Sequence, residues 1–278
     1  MEAVAVQRTH RRRSNFRGML VIPFVAFMLF FVLIPLFLIL FYAFTDASGR
    51  PSLANWADIF TSFEKWKTIG ITFAVAITTT VICILIAYPI AFILSNKKFN
   101  KNKVLVYVFL LPMWVNFVIR TMALKDMVNT MFSSLTANLP FLGLVIGMVY
   151  DYLPFAILPL YNQMLKMDKN QIEAAADLGA NPFRVFFKVI VPMTVPGIIS
   201  ACTMTFMPTM SSYVIAYHMS NDKIQIIGSL INFYFMSGTG GYNSGAVLSL
   251  VMLIIIGFSL VLERFSNNKE DARKGGIW

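Results

Sequence analysis

Charged residues are scarce in this sequence: they make up 13% of its 278 residues, against 58% hydrophobic residues. The mean hydropathy is +0.70. Soluble globular domains contain roughly 25% charged residues, because a chain that folds in water needs a polar surface. The shortage of charge therefore excludes a water-soluble fold, and we expect an all-helical membrane protein.

Cysteine and histidine are also scarce, with two of each. Cys83 and Cys202 lie inside long apolar runs without C-x-x-C spacing, so the sequence predicts neither a disulfide framework nor a zinc site. The sequence also lacks a phosphate-binding loop of the form G-x-x-x-x-G-K-[ST]. We therefore expect no catalytic residue, no metal site and no cofactor in this chain.

Six long apolar segments occupy most of the sequence. A bilayer core about 30 Å thick takes roughly 20 apolar residues to cross as a helix. The segments that qualify are residues 19–42, 71–94, 104–119, 141–161, 195–217 and 244–262. The third is short, and Pro208 interrupts the fifth within a stretch of small polar residues that predicts a kinked span.

The positive charge of the chain predicts its orientation. A net charge of +10 could indicate a nucleic-acid partner, but the basic residues form short clusters between apolar segments. If the N-terminus is cytoplasmic, 17 of the 23 Lys and Arg residues fall on the cytoplasmic side. This agrees with the excess of Lys and Arg in the cytoplasmic loops of membrane proteins. We predict contacts with membrane lipid and no nucleic acid, cytoplasmic tails at 1–18 and 263–278, and a membrane domain at 19–262.

The loop at residues 166–192 carries its own helix signals. Asp168, followed three residues later by Gln171, has the form of a helix N-cap, and Gly179 suits the left-handed residue that ends a helix. Asn181 followed by Pro182 predicts a second helix start. Pro192 is expected to stop that second helix before the next span.

The same loop carries a spaced motif. Residues 173–198 read EAAADLGANPFRVFFKVIVPMTVPGI, which resembles the EAA signature of the permease subunits of ABC importers. The matching positions are Glu173, Ala174, Ala175, Gly179, Ile190 and Pro192. The alternative interpretation of the loop is an ordinary amphipathic surface helix.

The resemblance implies a type I ABC importer permease with six transmembrane helices in the bacterial inner membrane. It implies a coupling helix that docks on a cytoplasmic ABC ATPase dimer, which would bind ATP and Mg²⁺. It also implies a second permease subunit, related but distinct, and an external substrate-binding protein. The coupling residues would be Glu173, Ala174, Ala175, Asp177, Gly179 and Ala180, with Phe183, Phe186 and Phe187 holding the second helix against the spans.

Two further stretches, residues 111–125 and 144–180, are similar to the spermidine/putrescine permeases of that class. The similarity implies polyamine import, with Asp151 as a departure from the family pattern. An acid inside a membrane is costly and by default marks a functional site. Aromatic faces and a carboxylate suit an extended cation, so the predicted pathway residues are Trp114, Asn116, Tyr150, Asp151 and Tyr213.

Several alternatives stay open. Asp151 is either a pathway residue or a structural hydrogen-bonding group, and Trp114 is either pathway or packing. Arg120 is expected to extend to lipid headgroups, with gating of the outer mouth as the alternative. The substrate could be another small solute. An ATP-independent carrier is disfavoured because no inverted repeat is evident, and a membrane enzyme because the spans lack a cluster of His, Asp and Glu.

Overall fold

The computed structural model describes residues 21–96, 100, 104–132, 135–238 and 241–274, and within these ranges the protein is helical with no β-strand. The helices in chain order are α1 (Val21–Ala43), α2 (Ala54–Thr61), α3 (Phe63–Ser95), α4 (Val104–Trp114), α5 (Phe117–Met131), α6 (Leu135–Asn138), α7 (Pro140–Leu165), α8 (Lys169–Asp177), α9 (Pro182–Ser211), α10 (Tyr213–Met219), α11 (Ile227–Met236) and α12 (Gly241–Lys274). The predicted tail at 1–18 and the Lys cluster around residues 97–103 lie outside the described residues.

In the part of the chain that the structure describes, five helices are long and apolar enough to cross a membrane: α1, α3, α7, α9 and the apolar part of α12 up to Val261. The bent pair α4 and α5 supplies a sixth crossing if it is counted as one span. The described part of α12 continues beyond the predicted boundary at residue 262 as far as Lys274. The all-helical membrane fold predicted from composition and apolar length is confirmed.

The centre of the bundle consists of α3, α7 and α9, which pack along their lengths. Small residues line the contact, among them Cys83, Ala87 and Ala156, each fully buried. Without a hydrophobic driving force between helices in lipid, close packing through small side chains is the main source of association. Helix α1 packs beside α12, where the side-chain amide of Asn243 donates to the backbone oxygen of Thr45 at 2.7 Å.

Two sequence predictions about helix ends are wrong. The span predicted at 104–119 breaks after Trp114, and α5 leaves at an angle of 94° to α4. Pro192 does not stop a helix, because α9 runs unbroken from Pro182 to Ser211. A π-helical turn at Phe186–Ile190 lies inside α9, just before Pro192. This wider turn relieves the clash between the proline ring and the preceding backbone that would kink an α-helix.

The fifth predicted span, 195–217, also differs from the structure. Helix α9 begins thirteen residues earlier than expected and continues through Pro208, and the break falls at Ser212 instead, which leaves the helical region with φ −78° and ψ 79°. After this break α10 and α11 follow as short helices. They lie at the end of the bundle opposite α8, where α10 packs against α5 and α7, and α11 packs against α12.

Candidate functional site

The α8 loop has the caps that its sequence predicts. The Asp168 carboxylate accepts a hydrogen bond from the backbone N–H of Asn170 at 3.0 Å, and Gly179 takes a φ of +75° at the end of the helix. The Asn181 side chain then accepts from the backbone N–H of Phe183 at 3.0 Å, with Pro182 in the first turn. The predicted helix, turn and second helix start are confirmed.

The surface of α8 is open. Glu173, Ala174 and Asp177 are exposed, while Ala175 and Ala180 are half-buried and Gly179 is exposed at the turn. Next to them lie apolar side chains that are mostly exposed: Leu178 at 88%, Phe183 at 75% and Phe187 at 63%. Apolar side chains of this size, rimmed by carboxylates, are typical of a surface that binds another protein.

One aromatic residue joins this loop to the bundle. The Phe186 ring stands edge-on to Tyr88 and Phe92 of α3, with centroid separations of 5.7 and 6.3 Å. Of the three phenylalanines expected to hold the second helix against the spans, Phe186 does so, whereas Phe183 and Phe187 stay exposed. A cleft of about 240 Å³ lies between α8 and the ends of α3 and α7, and Glu173 is part of its lining.

The bend between α4 and α5, here called the elbow, is held by a buried ion pair. The Asn116 side chain caps α5 by accepting from the N–H groups of Val118 and Ile119. One turn later the Arg120 guanidinium contacts Asp151 of α7, with Nε 2.6 Å from Oδ1. Arg120 also donates to the backbone oxygen of Pro112, which accepts a second hydrogen bond from the Val115 N–H at the end of α4.

Both oxygens of Asp151 are occupied. Oδ1 pairs with Arg120, and Oδ2 accepts a hydrogen bond from the Thr121 hydroxyl at 2.9 Å. The Arg120 side chain is 9% exposed and that of Asp151 is 2% exposed. The expectation that Arg120 extends to lipid headgroups is wrong, because its buried guanidinium pairs with a carboxylate 31 residues away in the sequence.

The aromatic pathway candidates near the elbow differ in exposure. Tyr150 places its ring 5.6 Å from the Arg120 guanidinium and lines a cavity of about 450 Å³ together with Pro112 and Met127. Trp114 is 82% exposed at the end of α4. Tyr152, two residues after Tyr150, points elsewhere and donates from its hydroxyl to the backbone oxygen of Pro208 at 3.2 Å. The two tyrosines therefore face different directions.

Tyr213 lies in a separate place, a groove of about 440 Å³ between α10 and α11. We call it the α10–α11 groove, and its lining consists of Tyr213, Val214, Tyr217, His218, Asp222, Gln225, Ser229, Asn232, Phe233 and Met236. The residues from each helix recur at spacings of three and four, so each helix turns one face to the groove. The structure thus divides the predicted pathway residues between the elbow and this groove.

Close contacts fix the start of α11, next to the groove. The backbone N–H of Ile227, at the start of α11, donates to the Thr72 hydroxyl of α3 at 2.9 Å. A Cβ atom added at Gly228 would lie 2.4 Å from the backbone oxygen of Ser211, so only glycine permits this approach. The turn before α11 holds Asn221 and Asp222 at φ 50° and 59°, a left-handed conformation that Asn and Asp tolerate better than other side chains.

The groove residues Tyr217, Asp222, Asn232 and Phe233 are not among the site residues that the sequence predicts. A detectable signal was present: two non-glycine residues of the Asn/Asp type in succession between two apolar segments indicate a tight turn. The sequence could not show that the turn brings two aromatic helix faces together. Among the described residues, no group of three or more His, Cys, Asp or Glu side chains could hold a metal ion.

Comparison with solved structures gives the class of the protein. The fold matches the permease chains of a bacterial ABC transporter that imports the acidic polysaccharide alginate, with a TM-score of 0.71 at 14% identity, covering 91% of this chain and 96% of that one. A second structure, of the alginate transporter in complex with an alginate pentasaccharide-bound periplasmic protein, gives a TM-score of 0.69 at 14% identity, covering 89% and 93%. The chain has the fold of an ABC transporter permease.

Sequence comparison gives the family. The chain is 31% identical over 281 residues to the spermidine/putrescine transport system permease protein PotB of Haemophilus influenzae, covering 94% of this chain and 97% of that protein. It is 31% identical over 201 residues to PotB of Escherichia coli, covering 67% and 72%, and 26% identical over 258 residues to a PotB homolog of Mycoplasma genitalium, covering 87% and 88%. No protein-family model matches the chain. The chain belongs to the PotB family of transport permeases, and it is a multi-pass membrane transport subunit, not an enzyme.

Proposed function

We propose that this permease imports polyamines, using ATP that a separate ATPase dimer binds with Mg²⁺ and hydrolyses. The observation that supports polyamines as the substrate is the similarity to PotB of Haemophilus influenzae over nearly the whole length of both chains. The chemistry of the described residues agrees with a cationic substrate, because open aromatic rings and an exposed carboxylate line the α10–α11 groove.

The α8 loop is the proposed docking site of the ATPase. Glu173 and Asp177 are exposed and one helical turn apart, so both can pair with basic groups on one partner. Ala174 and Ala175 keep the helix narrow, Gly179 ends it, and Ala180 leads into the second helix. Phe186 would pass movement of the loop to α3 through its contacts with Tyr88 and Phe92.

The proposal includes the remaining partners and the orientation. The loop end of the bundle and both termini lie in the cytoplasm, the membrane is the bacterial inner membrane, and the α10–α11 groove faces the external side. A second, related permease subunit completes the pathway, and an external binding protein delivers the substrate. Alternating access follows: ATP closes the ATPases, α8 moves with them, the cavity opens outward, and hydrolysis returns it inward.

The test is uptake of labelled spermidine and putrescine, with and without ATP, by vesicles that contain this permease with its ATPase, second permease and binding-protein partners. ATP-dependent accumulation is the expected result. ATP-dependent assembly and ATPase activity without amine uptake would contradict the substrate and leave another small solute as the cargo. Uptake that survives ATP depletion and collapses with an uncoupler would instead indicate a secondary carrier.

A further inference from the structure

The α10–α11 groove has an unusual distribution of charge for a chain with a net charge of +10. Of the described residues that line it, Asp222 is the one carboxylate, and none is Lys or Arg. Lys223, the next residue, turns away and donates from its ammonium to the backbone oxygen of Ala137 at 2.8 Å. Among the described residues no basic side chain forms an ion pair with Asp222, so this negative charge is available to a ligand.

The walls of the groove are aromatic. Tyr213, Tyr217 and Phe233 are exposed by 45%, 56% and 60%, and all three contribute to the lining. Ring faces attract cations through their quadrupole and also pack against methylene groups. An extended aliphatic amine has both a positive charge and a chain of methylene groups. A metal ion lacks the methylene chain, and a neutral sugar lacks the charge.

Polar acceptors complete the lining. The Ser229 hydroxyl is buried and has no hydrogen-bond partner among the described residues, and an unsatisfied buried hydroxyl is costly unless a ligand reaches it. Asn232 and Gln225 add amide oxygens. Burial, and then the charge of nearby Lys125, lower the pKa of His218, which disfavours a positive charge on its ring in the groove.

We propose that the α10–α11 groove is a binding site for one ammonium end and the adjoining methylene chain of a polyamine. Asp222 is the ionic contact, and the rings of Tyr213, Tyr217 and Phe233 form the apolar wall. The inference rests on the proposed function, because it names where that substrate is held. A site of this kind holds the amine weakly, since its acid is exposed and solvated, and weak binding suits a substrate that must leave again.

The first measurement is equilibrium binding of labelled spermidine to the purified permease–ATPase complex without the external binding protein. Asp222→Asn is expected to raise the Kd about threefold to fivefold, the upper part of the range for an exposed ion pair. Asn keeps the shape of the side chain and tolerates the left-handed backbone at this position. Asp126→Asn is the matched control, because Asp126 is an exposed acid of α5 outside the groove, and its Kd should not change.

The second measurement maps the site directly with a photoreactive aryl-azide derivative of spermidine. We expect labelled peptides from α10 and α11, displaced by excess spermidine, and weaker labelling in Phe233→Leu. Phe63→Leu is the control, because Phe63 is 77% exposed and lies outside the groove.

The outcomes separate this inference from the proposed function. Suppose that vesicles with all partners accumulate polyamines. The groove assignment is then wrong, and polyamine import stands, if any one of three results is found: Asp222→Asn binds spermidine with the wild-type Kd, the wild-type complex binds no spermidine, or the label falls outside α10 and α11. If the vesicles accumulate no polyamine, the proposed function itself fails.

Discussion

The elbow and the α10–α11 groove present two acids in opposite states. Asp151 lies inside an apolar helix and is neutralised by Arg120 and Thr121, with 2% of its side chain exposed. Asp222 lies in an exposed turn with aromatic rings around it and no basic partner among the described residues. An acid in an apolar stretch of sequence is by default predicted to be a functional residue. In the structure, however, Asp222 in the turn is accessible to a ligand, and Asp151 in the span is not.

The difference follows from the energetics of burial. A carboxylate removed from water must be paired and hydrogen-bonded, or its desolvation exceeds any gain. Asp151 satisfies this requirement within the chain, and in doing so it fixes the 94° elbow against α7. Asp222 remains solvated, so it does not need an internal partner and can exchange water for an ammonium group. One acid therefore stabilises the fold and the other is suited to transient binding.

The largest effect is expected at a third acid, which is exposed like Asp222 but lies at the other end of the bundle. Glu173→Lys should abolish uptake and weaken ATPase association, because the reversed charge repels the basic groups that we propose dock there. Membrane insertion should be normal. The measurements are labelled-amine uptake and co-purification of the ATPase. Glu64→Lys is the control, because it reverses the charge of an exposed side chain near the start of α3. Normal uptake by Glu173→Lys would contradict the coupling role of the α8 loop.

The next largest effect, a loss of stability, is expected when the elbow ion pair is broken. Arg120→Leu leaves the Asp151 charge buried without its partner, which costs about 3–5 kcal/mol. We expect a clearly lower Tm in detergent and a smaller folded fraction in the membrane. The double variant Arg120→Leu/Asp151→Leu removes both charges and should recover most of the lost stability, because an apolar pair needs no desolvated partner.

Asp151→Asn tests the elbow from the other side. It leaves the Arg120 charge buried, and arginine does not deprotonate in proteins, so the Tm should fall as it does for Arg120→Leu while the Kd for spermidine stays unchanged. A raised Kd with an unchanged Tm would place Asp151 in the substrate pathway and reverse the contrast with Asp222.

A smaller effect is expected at the start of α11. Gly228→Ala forces a methyl group against the Ser211 backbone oxygen, and overpacking of this kind costs about 1–3 kcal/mol. The displaced α11 should weaken spermidine binding along with the Tm. Gly70→Ala in α3 is the control, because an added Cβ there meets nothing within 4 Å. If both variants bind spermidine equally well, the close approach at Gly228 does not shape the groove.

Local sequence signals predicted the α8 loop closely, and they failed at the elbow. The caps at Asp168 and Asn181 bond to backbone groups two residues away, so short-range sequence patterns contain all the needed information. Pro192 misled because the rule that proline stops a helix holds for α-helical geometry, and the π-helical turn before it removes the clash. The break at Asn116 was missed because apolar residues continue on both sides of it.

The sequence by itself determined that this protein lies in a membrane, that most of its length is apolar enough to form spans, and where helix α8 begins and ends. These properties depend on the apolar length needed to cross a bilayer and on hydrogen bonds between neighbouring residues. Only the tertiary structure decided that Arg120 pairs with Asp151, that Gly228 touches Ser211, and that Tyr213 and Phe233 line one groove. Those contacts join residues 17 to 31 positions apart, and they are set by how the helices pack, which no local pattern records.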